Sequence, residues 1–143
     1  MLLNLTVGNW MSYGGEAELN MLGSLERQHK ETLAKLPGWR SKYILPVAAV
    51  YGGNASGKTA LFEALAALKT MVTVDVGVDG VLPVDAFRLD ERDEPTSLSV
   101  TFLVAERVYR LYVEATSVAV KYESLELVRE KGGEVLYERQ ATD

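Results

Sequence analysis

Eight consecutive residues, Gly52-Gly53-Asn54-Ala55-Ser56-Gly57-Lys58-Thr59, fill every fixed position of the phosphate-binding pattern Gly-x-x-x-x-Gly-Lys-Ser/Thr. A triphosphate needs several hydrogen-bond donors aimed at its oxygens, and the unpaired N–H groups of a loop and of a first helical turn, through Ala60, supply them. The helix end adds a partial charge of roughly +0.5. Gly52 and Gly57 keep Cβ atoms out of the cradle and accept backbone angles that other residues resist. Lys58, the catalytic candidate, reaches the β and γ phosphates, and the Thr59 hydroxyl is the candidate ligand for Mg²⁺. A glycine turn joining strand to helix could share this spacing without a ligand, but the segments on both sides favour the phosphate site.

Those segments are the elements that must position the loop. Residues 44–51, Ile-Leu-Pro-Val-Ala-Ala-Val-Tyr, form an almost unbroken apolar run that predicts a central parallel strand buried on both faces, with Pro46 near its start. After the loop, Leu61, Leu65, Leu68 and Val72 recur at helical spacing with Ala60, Ala64 and Ala67 between them, predicting a helix packed on a sheet.

Elsewhere, Leu3, Leu5 and Val7 alternate with polar residues, and Ala17, Leu19 and Met21 follow the Gly14-Gly15 turn, which predicts a hairpin. Residues 22–42 are polar and locally basic, with a partly helical pattern through Leu22, Leu25, Leu33 and Leu36 that Pro37-Gly38 breaks. Residues 72–84 mix valines with glycines and a proline and read equally as strand or loop. From residue 97 the period becomes two, and four strands with short connections predict an antiparallel meander ending in Glu134 to Arg139.

The chain has 143 residues, enough for one domain that buries roughly two-thirds of its unfolded surface. It has no cysteine, which removes disulfides and cysteine-ligated zinc and is compatible with a reducing compartment. No basic leader and no run of eighteen apolar residues occurs, so the expectation is a cytoplasmic, soluble protein without a membrane partner. A net charge of −5 makes any contact with nucleic acid local.

The segment Asn9-Trp10-Met11-Ser12-Tyr13 after a first strand, together with residues 46–59, resembles the N-terminal part of the ABC-type ATPases of the RecF, SMC and OLD group. The nearest likeness is to bacterial AAA-family ATP-binding proteins of abortive infection and phage defence. The resemblance covers residues 1 to about 70 well and the β-rich remainder less specifically. It implies an α/β fold: a P-loop NTPase core with a mostly parallel sheet, plus an antiparallel β-subdomain, together an incomplete ABC-type ATPase head. On that reading one domain divides into residues 1–84, the nucleotide-binding α/β part, and residues 85–143, the β-subdomain. The resemblance also places the segment from Asn9 to Tyr13 beside the base and ribose, with Asn9, Trp10 and Tyr13 as its candidate contacts and Trp10 or Tyr13 stacking on adenine or else plugging the sheet edge, and puts Asn54 near the γ phosphate. It implies ATP and Mg²⁺ as cofactors, a head-to-head homodimer of the full protein, and a nucleic acid or defence effector as a further partner.

The chain departs from that group in lacking a glutamine loop, a signature motif, a switch histidine and a clear apolar strand ending in Asp-Glu. Phe87-Arg88-Leu89-Asp90-Glu91 ends correctly but carries Arg88 at an apolar position and acidic neighbours Asp93 and Glu94, so a solvated loop is the better reading. Gln140 reads as an exposed terminal residue. The single histidine, His29, has no nucleophile elbow to serve. Arg27, His29 and Lys30 suit either phosphates or plain solvation, and Asp85, Asp90, Glu91, Asp93 and Glu94 lack the spacing of a calcium loop. Tyr109, Tyr112, Tyr122 and Tyr137 need only packing to explain them. The function expected is ATP binding, with hydrolysis waiting on downstream signature and Walker B elements. Its rivals are a small self-contained P-loop kinase or NTPase, and a non-catalytic interaction module that keeps the loop.

Overall fold

A computed structural model describes residues 1–23, 30–75, 80–89 and 94–141. Among them the main body is one six-stranded sheet, in the order β2-β1-β6-β7-β8-β9, built from β1 (Leu2–Gly8), β2 (Ala17–Asn20), β6 (Thr96–Val104), β7 (Arg107–Ala115), β8 (Val120–Val128) and β9 (Gly133–Gln140). A second, small sheet has the order β3-β5-β4, from β3 (Leu22–Gly23), β4 (Ala34–Lys35) and β5 (Tyr43–Ile44). Every pairing in both sheets is antiparallel.

The hairpin and the meander form where the alternating patterns predicted them. One long-range pairing joins the two, because β1 bonds to β6 with Leu5 opposite Val100 and Val7 opposite Leu98. The sheet therefore runs across the 84/85 boundary expected from the sequence.

The α/β fold class is corrected by this arrangement. There is no parallel sheet among the described residues, and the architecture is mostly antiparallel β with a single α-helix, α1 (Lys58–Thr73). Of the run 44–51, only Ile44 lies in a strand, at the end of β5, and residues 46–51 are exposed, with Val47 75% and Tyr51 92% accessible. The topology supplies the reason. Both edges of β1 are already taken, by β2 and β6, so the six-stranded sheet offers the run no central slot. Apolar composition signals a wish for burial but cannot name the partner that supplies it.

The helix forms where its spacing predicted, although Val72, expected on the packed face, is 58% exposed. Ala60, Leu61, Ala64, Ala67 and Leu68 point inward and pack on Leu5, Val7, Trp10, Leu98, Val113 and Ala115. Small residues at Ala60, Ala64 and Ala67 allow the helix backbone to approach the sheet closely. A second cluster joins Leu3, Leu36, Ile44 and Val108 with Leu22, Trp39, Leu103 and Val128. Strict alternation would put Leu3 with Leu5 and Val7. A register irregularity between Leu2 and Asn4 instead gives Leu2 to the helix cluster and Leu3 to the second one, as a bulge re-aims side chains.

Residues 30–42 hold a 3-10 turn (Lys30–Thr32) and the short strand β4 instead of the helix their leucines suggested. Leu25 and positions 24–29, which include Arg27 and His29, lie outside the described residues. Residues 74–75 and 80–84 form no strand. No helix among the described residues is long and apolar enough to cross a membrane.

Candidate functional site

The phosphate-loop pattern sits at the N-terminus of α1, and its glycines answer to specific steric facts. A Cβ on Gly52 would meet the Ser56 Oγ at 2.7 Å, so a side chain there would push the Ser56 hydroxyl aside. Gly57 caps the helix in the left-handed region at φ 87°, and a Cβ there would come within 3.0 Å of the Tyr13 phenol. Ala55 also takes a left-handed backbone, at φ 60°. Gly53 has open space around its Cα, so neither sterics nor a positive φ requires glycine at that position.

Among the described residues no side chain caps the start of α1. Among the described residues the backbone N–H groups of Ala55 to Ala60 find no protein acceptor, so these donors and the positive end of the helix dipole stay available to an anion. The Lys58 ammonium lies folded over the loop, donating to the carbonyl oxygens of Gly52 at 2.8 Å and Gly53 at 2.5 Å, with the Ser56 hydroxyl 3.4 Å away. Asn54 and Thr59 are exposed beside it. A cavity of about 210 Å³ opens here, lined by Met11, Ser12, Lys58, Thr59 and Glu63 among others.

The turn after β1 does reach this loop, but its three singled-out residues serve the scaffold. Trp10 is 3% exposed within the helix cluster, with its Nε1 donating to the Ala60 carbonyl at 2.7 Å, which leaves no ring face open to a base. Tyr13 is half-buried and donates its hydroxyl to the Gly57 carbonyl at 3.0 Å. Asn9, at φ 47°, uses both ends of its amide: Nδ2 donates to the Glu94 carbonyl at 2.6 Å and Oδ1 accepts from the Phe87 N–H at 3.2 Å. Its own carbonyl accepts from the Thr96 hydroxyl at 2.7 Å. The residues between them, Met11 and Ser12, face the cavity instead.

Sequence reasoning included Met11 and Ser12 in the segment beside the nucleotide but gave neither a role, and it missed Glu63. For Glu63 the signal was there, since it falls four residues after Thr59 on the same helix face. The Phe87-Arg88-Leu89 stretch forms no strand: Arg88 and Leu89 are exposed in a turn, with Arg88 paired to Asp85 at 3.3 Å. Asp90 and Glu91, which end that stretch, and their neighbour Asp93 lie outside the described residues. Gln140 ends β9 in an exposed position.

A larger cavity, about 820 Å³, is lined by Thr6, Ser97, Ser99, Thr101, Arg110 and Tyr112 among others and contains no phosphate-loop residue. Size alone would favour it as a ligand site. The smaller one is the candidate for phosphate chemistry, because of the two it is the one that joins free helix amides to a lysine ammonium and a threonine hydroxyl. No protein-family model matches the chain and no curated protein matches it, so the functional reading rests on these residues themselves.

Proposed function

We propose that this chain binds ATP with Mg²⁺ through residues 52–60, as the ATP-binding part of an ABC-type ATPase similar to the RecF, SMC and OLD group and to phage-defence ATP-binding proteins. The observation that carries the reading is the uncapped, left-handed entry to α1, with free N–H groups from Ala55 to Ala60 around the Lys58 ammonium. Polyphosphate oxygens would replace the loop carbonyls as partners of Lys58 and take up the free amides.

The donors around the cavity are oxygens, from Thr59, Ser12 and Glu63, and oxygen is what a hard cation such as Mg²⁺ selects. When bound, the metal would neutralise phosphate charge. A cavity of about 210 Å³ suits a phosphate chain better than a whole nucleotide, since sites for larger ligands usually exceed roughly 300 Å³. The base therefore rests on surface outside it.

Hydrolysis needs a carboxylate to position water and further groups to stabilise charge, because protein catalysis of phosphoryl transfer is mostly positioning and electrostatics. In this proposal those groups come from signature and Walker B elements and a homodimeric arrangement. A cytoplasmic location, where ATP is plentiful, accompanies it.

Equilibrium binding of a fluorescent ATP analogue, compared between the chain and Lys58→Ala, tests the proposal. Loss of at least about tenfold in affinity supports it. Equal affinity favours a non-catalytic interaction module, and steady hydrolysis by these 143 residues favours a self-contained NTPase.

A further inference from the structure

The phosphate-loop cavity contains one acid. Among its described lining residues, Met11, Ser12, Thr59 and the loop residues are uncharged, Lys58 is cationic, and only Glu63 carries a carboxylate. Glu63 is exposed and makes no hydrogen bond or ion pair with the described residues. Its neighbours three and four positions away along the helix are Thr59, Ala60, Ala66 and Ala67, so no lysine or arginine on its own face neutralises it.

A lone carboxylate beside a polyphosphate site is unfavourable, since like charges repel at short range and the helix dipole favours the phosphates and not Glu63 for that space. The repulsion reverses once a divalent cation stands between them. Mg²⁺ gives up its waters reluctantly and commonly keeps several, whose hydrogens need acceptors. Thr59 and Glu63, one helical turn apart, both open on the cavity.

We propose that Glu63 makes nucleotide binding at this loop depend on Mg²⁺: with the metal present it accepts hydrogen bonds from the metal's water shell, and without the metal it repels the phosphates. Glu63 is a positioning residue and a selector of the metal-bound nucleotide over the bare one. The inference rests on the proposed ATP site.

The experiment measures the dissociation constant of a fluorescent ATP analogue in Mg²⁺ and in EDTA, for the chain, Glu63→Gln and Lys58→Ala. The chain should bind at least about tenfold more tightly with Mg²⁺. In Glu63→Gln the ratio should fall to within about threefold, because metal-free binding tightens while metal-bound binding weakens. Glu63→Asp, which keeps the charge on a shorter arm, should retain part of the ratio. An unchanged ratio in Glu63→Gln overturns the inference alone. Absence of binding by the chain in both conditions overturns the ATP-site reading itself. Because Glu63 is exposed, thermal midpoints of the variants should match the parent and show that folding is not the cause.

Discussion

The Tyr13 hydroxyl donates to the Gly57 carbonyl oxygen at 3.0 Å, and this bond ties the turn after β1 to the residue where the phosphate loop becomes a helix. The same phenol stands where a Gly57 side chain would go. Tyr13 and Gly57 thus fit each other twice, by hydrogen bond and by shape. Gly57→Ala should cost about 1–3 kcal/mol through its left-handed backbone and the clash together. Tyr13→Phe should cost about 1 kcal/mol, because the carbonyl still accepts from the Leu61 N–H. Urea midpoints of the two variants and of Tyr13→Ala/Gly57→Ala check this. Measured against Tyr13→Ala and Gly57→Ala as single variants, the double variant should lose less than their sum, since removing the ring relieves the clash.

Val47 is expected to tolerate a polar replacement. At 75% exposure Val47→Thr should shift stability by no more than about 0.5 kcal/mol. In a strand buried on both faces the hydroxyl would cost about 1–3 kcal/mol, so a urea midpoint that drops by that amount would contradict the position described for residues 46–51.

Ala64 is 0% exposed at the contact between α1 and the six-stranded sheet. Ala64→Leu should overpack that contact and cost about 1–3 kcal/mol, while Ala66→Leu, on the exposed side of the same turn, should be nearly neutral. Thermal unfolding of the pair distinguishes the faces. Equal midpoints would place the helix elsewhere.

Tyr112 gives the fold an alkaline limit. Burial, followed by its 2.5 Å hydrogen bond to Glu114 and the charge of that carboxylate, pushes the phenol up to about 12. The folded state holds this proton more tightly than the unfolded chain, whose tyrosines release it near pH 10. The stability contributed is fully present below about pH 10 and is lost as pH rises from there through about 12. Tyr112→Phe should remove the highest step from the phenolate absorbance titration and flatten the alkaline fall of the urea midpoint. A titration curve unchanged by the substitution would contradict the environment described. Tyr137, bonded to Glu123 at 2.6 Å, is raised too and should still titrate late in that variant.

Legibility in the sequence followed the range of the interactions involved. Local patterns read correctly: β1 and β2 from alternation about Gly14-Gly15, α1 from the spacing of Leu61, Leu65 and Leu68, and β6 to β9 from period two. Long-range partnership did not. Nothing in Leu3, Leu5 and Val7 announces that β1 pairs with β6, or that this pairing leaves residues 46–51 without a strand beside them. The site shows the same division. The position of Gly52, Gly57, Lys58 and Thr59 at the start of a helix was legible because a motif fixes it along the chain. The scaffold roles of Asn9, Trp10 and Tyr13 depend on Glu94, Phe87, Ala60 and Gly57, all far away in sequence, and the bridge between Trp10 and Tyr13 leaves Met11 and Ser12 at the tip of a tight turn, where they line the cavity instead.

The central claim is that the amides at the start of α1 hold a polyphosphate, and the most direct measurement follows those amides by NMR while Mg²⁺-ATP is added. The largest, saturable shifts are expected at Ala55 to Ala60, with the Lys58→Ala variant needing at least about tenfold more nucleotide to reach them. Saturable shifts concentrated around Ser97, Ser99 and Thr101 in the larger cavity, or none anywhere, would contradict it.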